Sequence, residues 1–245
     1  MTKTGAVRKY KNTRILKWSM LVVCVVAMFI ALWFMIEEKS IERVDMANYL
    51  KSKYQQDFVV GKPERRGSGL GVEGYSEYTV YPKGNRNLVF IAVSSSSSKS
   101  DDYPGVTWSS QEYERLKPVM GKLLSNATYS IKIRSAFSLQ TKDINIKGNV
   151  PSFSDAANKY GNKIPYTLTV KDYVGSRLSD DQKLKIVGVL LKLSNYIPKN
   201  VDSKVYYITE EKDNQNYGII VGVKEIVSSK DNPNILLGKF RKWGK

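Results

Sequence analysis

A nineteen-residue stretch without a charged side chain, Trp18 to Ile36, separates a short basic head, residues 1–17, from everything that follows. As a helix at about 1.5 Å per residue it would span roughly 28 Å, close to the hydrocarbon thickness of a bilayer, so the pattern predicts a single transmembrane helix. The head contains Lys3, Arg8, Lys9, Lys11, Arg14 and Lys17 and no acid, whereas Lys39 and Arg43 follow the run among Glu37, Glu38, Glu42 and Asp45. The positive-inside bias then predicts an uncleaved signal anchor in the cell membrane, with a cytoplasmic amino terminus and an extracytoplasmic body. Lys17, Trp18 and Trp33 are the expected interfacial anchors, and the lipid bilayer is the first expected partner. A cleaved signal peptide is disfavoured, because the run is long and Phe34, Met35 and Ile36 offer no small-residue cleavage site. Val23 is too large to precede a lipidated Cys24.

Cys24 is the only cysteine, so disulfides are impossible from Glu37 onward. An extracytoplasmic domain without them fits a Gram-positive cell envelope better than a eukaryotic surface. The formal charge is +16; the head supplies +6 and leaves +10 for the body. That excess should attract anionic polymers. Lys and Arg are scattered among acids with no basic stripe interleaved with aromatics, so nucleic acid is not the expected partner.

The body reads as α+β: a membrane-proximal helix over residues 37–57, then a domain over 58–245 with a possible subdivision near 140–152. Mainly antiparallel sheet with helices on one face is expected. Glu38 to Tyr54, with Ile41, Val44, Ala47 or Asn48, and Leu50 or Lys51 at mixed helical spacing, reads as a helix leading out of the membrane. Phe58 to Val60 reads as a strand. Tyr75 to Tyr81 alternates as a strand, turns through Pro82-Lys83-Gly84-Asn85 and returns over Leu88 to Val93. Five serines, Ser94 to Ser98, predict a loop tip. Ser109 and Glu112 predict a capping box opening a helix that buries Tyr113, Leu116, Val119 or Met120, and Leu123, kinked or restarted at Pro118. Ser179 and Gln182 predict a second capped helix burying Leu184, Val187, Leu190, Leu191 and Leu193. Strands are expected at Tyr129 to Ile133, Lys204 to Ile208 and Gly218 to Val223. Asp102-Tyr103-x-Gly105 and Asp172-Tyr173-x-Gly175, seventy residues apart, raise the possibility of two related halves. A turn convenient before a helix is the simpler reading.

The chain has no histidine. Ser-His-Asp and Cys-His hydrolases and the usual His/Cys zinc sites are therefore excluded. Gly69-x-Gly71-x-x-Gly74 matches a dinucleotide fingerprint as a string, but a strand-like stretch follows it where a helix is needed. Asp143-x-Asn145-x-Lys147-Gly148 begins like a calcium loop, yet Lys147 is no ligand and Ser154 stands where glutamate belongs. No catalytic residue, cofactor or metal site is expected. Glu73, Glu77, Asp101, Asp102, Glu112 and Asp155 are the carboxylates that could meet as a hydrolytic pair. Asp101 and Asp102 beside Tyr103 and near Trp108 form the most site-like cluster, since carboxylates flanked by aromatics suit a sugar or a peptide.

Tyr49-Leu-Lys-Ser-Lys-Tyr54 with Phe58, Tyr81-Pro-Lys-Gly-Asn85, and Asp102-Tyr103 with Trp108-Ser-Ser-Gln111 resemble stretches of uncharacterised membrane-anchored extracytoplasmic proteins of low-GC Gram-positive bacteria. That resemblance implies a location and no activity. The sequence thus predicts a non-enzymatic envelope protein binding a protein partner or an anionic wall polymer. The layout also resembles bitopic scaffold proteins of type IV secretion and conjugation machines. An anchored wall hydrolase using carboxylates is the third expectation.

Overall fold

Two sheets joined by one long helix organise the chain, and alternation within the strands explains both. The computed structural model describes residues 23–29, 40–67, 74–124, 126–135, 144, 146–173, 178–210 and 216–243. Within the apolar run only residues 23–29 belong to this set, as exposed helix. Seven helical residues rise about 10 Å, a third of a hydrocarbon core. Among the described residues no helix is long and apolar enough to cross a membrane. The expected single-pass transmembrane helix and signal anchor are corrected accordingly. Lys17, Trp18 and Trp33 lie outside the described residues.

Helix α1, residues 40–54, turns Met46, Leu50 and Tyr54 inward at four-residue spacing. Ile41 and Val44 are exposed. The helix ends at Gln55, held at φ 57° with its N–H on the Lys51 carbonyl at 2.8 Å. The first sheet is antiparallel throughout. Its long strand β3, Tyr75–Pro82, pairs on one edge with β1, Phe58–Val60, and then β2, Glu64–Arg66. On its other edge lie β4, Phe90–Ser94, and β5, Lys99–Asp101. The serine run forms the tight β4–β5 turn, with Ser95 N–H on the Ser98 carbonyl at 2.8 Å.

Helix α2, Tyr103–Leu123, starts six residues before the expected capping box, so Ser109 is interior. The Ser109 hydroxyl instead donates to Gly105 O at 2.7 Å and accepts from Ile133 N at 2.8 Å, tying the helix to the second sheet. Its buried stripe is Trp108, Glu112, Leu116 and Met120, and the helix continues through Pro118. Tyr113 is exposed.

The second sheet runs β10-β9-β8-β7-β6: β6 is Thr128–Ile133, β7 Pro165–Tyr173, β8 Asp202–Glu210, β9 Asn216–Gly222 and β10 Arg241–Trp243. Only β7 and β8 pair in parallel; α4, Asp180–Leu193, connects them, as a parallel pair requires. Ser179 and Gln182 form the expected capping box, at 3.3 and 2.8 Å. Short helices α3, Phe153–Tyr160, α5, Val223–Ser228, and α6, Asn234–Leu237, complete the described elements. Tyr166, Leu168, Val170, Val205, Tyr207, Ile219 and Val221 on the sheet's inner face join Ile186, Val187, Leu190 and Leu193 of α4 in one contiguous core. The observed class is α+β with two sheets, one antiparallel and one mixed, where a single mainly antiparallel sheet was expected.

The two Asp-Tyr-x-Gly strings stand at different places in the fold. Asp102 and Tyr103 open α2 directly, while Asp172 and Tyr173 end β7, seven residues short of α4; Gly175 lies outside the described residues. Of the region near 140–152, Ile144 and Ile146 are buried and Gly148 N–H donates to the Lys53 carbonyl at 2.7 Å.

Candidate functional site

The junction of β5 and α2 brings Asp101, Asp102 and Tyr103 together and turns them inward. Asp101 has a side chain 0% exposed. Its Oδ1 accepts from the Tyr54 hydroxyl at 2.7 Å and from Tyr103 N–H at 3.1 Å; its Oδ2 accepts from Lys53 Nζ at 2.8 Å and from the Tyr49 hydroxyl at 3.3 Å. Lys53, itself 13% exposed, also lies over the Tyr49 and Tyr54 rings. Burial pulls the Lys53 ammonium down, but the Asp101 charge and the hydrogen bonds to Asp101 and Tyr49 outweigh it and hold the group above its ordinary value. Burial, then the Asp101 charge, pushes the phenols of Tyr49 and Tyr54 up. Tyr54, Phe58, Phe90 and Tyr103 close around the network edge to face.

Asp102 works on the neighbouring strand. Its Oδ1 accepts from Ser135 N–H at 2.8 Å and from the Ser135 hydroxyl at 3.0 Å. A Cβ at position 105 would meet Asp102 Oδ1, and would lie 2.6 Å from the Ile133 carbonyl oxygen, so only glycine lets α2 abut β6 here. This contact is the physical reason for Asp102-x-x-Gly105. Trp108 is wholly buried and donates from Nε1 to Pro151 O at 3.0 Å. Asp101, Tyr103 and Trp108 are thus buried and Asp102 half-buried, each bonded to residues of the core or of the α2–β6 contact.

The other candidate carboxylates stand apart. Glu77 pairs with Arg66, Asp155 takes the Ser152 cap of α3, and Glu73 lies outside the described residues. Gly74 precedes a strand, β3, and Gly69 and Gly71 fall outside the described residues, as do Asp143 and Asn145 of the calcium-like string.

What sequence reading missed is the outer face of the second sheet. Strand register places Lys132, Thr167 and Lys204 in one row across β6, β7 and β8. The next row on that face holds Ser130, Thr169, Tyr206 and Ile220, and the third Thr128, Lys171, Ile208, Gly218 and Arg241. Rows on one face lie about 7 Å apart and neighbouring strands about 4.8 Å apart. Thr128, Ser130, Lys132, Lys171, Lys204, Ile220 and Arg241 are all exposed, so no described element covers this face. Lys132, Lys171, Lys204 and Arg241 make no ion pair among the described residues; Arg241 donates to the Gly238 and Phe240 carbonyls. Asp202 and Glu210 share the face but sit at opposite ends of β8. Each strand carried the signal as alternation; the pairing of strands was not legible.

Two of the open clefts on the described surface bear on function. One, about 350 Å³, lies between α1 and the first sheet and is lined by Glu42, Asp45, Arg65, Arg66 and Tyr78 with the serine turn. The other, about 580 Å³, lies between α2, α3 and residues 195–200. In its wall Arg115 Nε and Nη2 grip Glu112 Oε1 and Oε2 at 2.7 and 2.6 Å, and Nη2 also donates to Tyr196 O at 2.8 Å. Glu112, its side chain 6% exposed, is buried beside the Tyr166 hydroxyl at 3.5 Å.

No family model and no curated protein matches the chain. Among solved structures, a DUF5037 family protein from Ruminococcus gnavus ATCC 29149 is similar at 14% identity, covering 70% of this chain and 76% of that one, with a TM-score of 0.35. A likeness this slight assigns neither fold family nor function.

Proposed function

We propose that the protein is a binding module for an anionic, phosphate-bearing polymer of the kind found in a Gram-positive envelope, engaged by the outer face of the second sheet. One observation carries the reading: Lys132, Lys171, Lys204 and Arg241 stand in register on one face that no described element covers, with no acidic partner among the described residues, amid threonine and serine hydroxyls. Unpaired cations on a flat face attract a polyanion at long range, and flanking hydroxyls donate to its oxygens at short range. The body's +10 excess gains a location in this way. Asp101 and Asp102, the residues on which a hydrolytic reading leaned, are consumed by internal hydrogen bonds. Retention on immobilised polyphosphate and on purified Gram-positive wall tests the proposal. The native protein should elute at a salt concentration that falls sharply when all four cations become glutamine. Retention that ignores salt, or survives the fourfold substitution, overturns it.

A further inference from the structure

The 580 Å³ cleft between α2, α3 and residues 195–200 lies on different elements from the cationic face and offers different chemistry. Its floor is apolar, from Phe153, Ala157, Ile197 and Pro198, and its rim is amide and aromatic. Tyr196 presents a ring 46% exposed at that rim. Arg115 is locked by Glu112 and the Tyr196 carbonyl through Nε and Nη2 only, so Nη1 keeps two N–H donors unengaged among the described residues. Asn200 Nδ2 donates to Asn158 Oδ1 at 3.3 Å, which leaves the Asn158 amide N–H pair and the Asn200 carbonyl available. Asn195 Oδ1 accepts from Lys230 Nζ at 3.2 Å, so its N–H pair is available too.

We infer that this cleft binds neutral saccharide units. The inventory matches a ligand that has hydroxyls able both to donate and to accept, and a C–H face that can lie on an aromatic ring. Glu112 cancels the charge of Arg115 and leaves Lys199 as the single cation of the lining without an ion pair among the described residues, short of the cluster of cations that a polyanion would require. A peptide adding itself as a strand would need a sheet edge, and the edges of this sheet are β6 and β10, neither of which lines the cleft. A pocket of this volume with an apolar floor and a few placed polar groups is of the size that takes small ligands.

Calorimetric titration of the full chain with soluble tetrasaccharides of β-linked glucose and of N-acetylglucosamine, at high salt to silence the cationic face, tests the inference. At least one tetrasaccharide should bind saturably. Tyr196→Ala, which keeps the carbonyl that orients Arg115, and Asn195→Ala should each weaken that binding about tenfold or more. Unfolding midpoints near that of the native protein confirm that both variants are folded. The fourfold cation variant should bind the saccharide as well as native protein does, which separates this site from the polyanion reading. Absence of saturable binding with either saccharide, or binding untouched by both substitutions, overturns the inference.

Discussion

Asp101 and Glu112 are both carboxylates buried beside a cation, yet they sit in opposite circumstances. Asp101 is sealed by four donors, three of them side chains of α1 some fifty residues away in sequence. Glu112 is held by Arg115 from its own helix, three residues on, and that arginine is 45% exposed at the lip of a cleft. The first pair joins two elements, its carboxylate fully buried and its lysine 13% exposed; the second orients a guanidinium toward open space. Burial of an acid therefore says little about its use until the exposure of its partner is known.

Removing each acid in turn should separate the two. Asp101→Ala leaves Lys53 and the Tyr54 hydroxyl without their carboxylate acceptor in a largely buried space, and should cost about 3–5 kcal/mol in chemical denaturation. Glu112→Ala frees an arginine that can turn to water, so the loss should be nearer about 1–2 kcal/mol, discounted for that exposure. Equal losses would break the comparison.

High pH should expose the same contrast. Lys53 is raised above 10.5 in the folded chain, so the stability it contributes is fully present below about pH 10.5 and is lost as pH climbs through its folded value. Tyr49 and Tyr54 act in the same sense, because the unfolded chain releases their protons near pH 10.0 while the folded chain retains them. Beside Glu112 the Tyr166 phenol is likewise pushed up, by burial and then by the Glu112 charge. Phenolate absorbance should rise in two stages above pH 10, exposed tyrosines first and buried ones together with unfolding. Asp101→Asn should flatten the alkaline fall in stability more than Glu112→Gln does. An equal effect of the two would remove the distinction.

The smallest test concerns the end of the helix that delivers Lys53. Gln55 occupies a left-handed backbone conformation that glycine adopts freely. Gln55→Gly should stabilise the fold by about 0.5–1 kcal/mol, seen as a higher denaturation midpoint. A loss would mean that the α1 terminus relies on the Gln55 side chain.

Local order was written in the chain wherever one element decides it. The alternation of β3 and β4 and the Ser179–Gln182 cap follow from backbone periodicity and local capping, which depend only on near neighbours. Excluding histidine and thiol chemistry from the body needed nothing more than composition. Ser109 misled because a capping box and an interior serine look alike until Asp102, Gly105 and Ser135 are seen to clamp the true start of α2. Trp108 misled because an aromatic beside acids can line a site or fill a core, and only its burial under residues 151–153 distinguishes these. The length of the apolar run likewise argued for a span that the described helix does not provide. Pairing across long separations was decided by the tertiary structure alone: Lys53 with Asp101, Arg115 with Tyr196, and Lys132, Lys171, Lys204 and Arg241 on one face. Such contacts depend on which strands and helices become neighbours, and that choice is made by burying one shared apolar core rather than by any short stretch of residues.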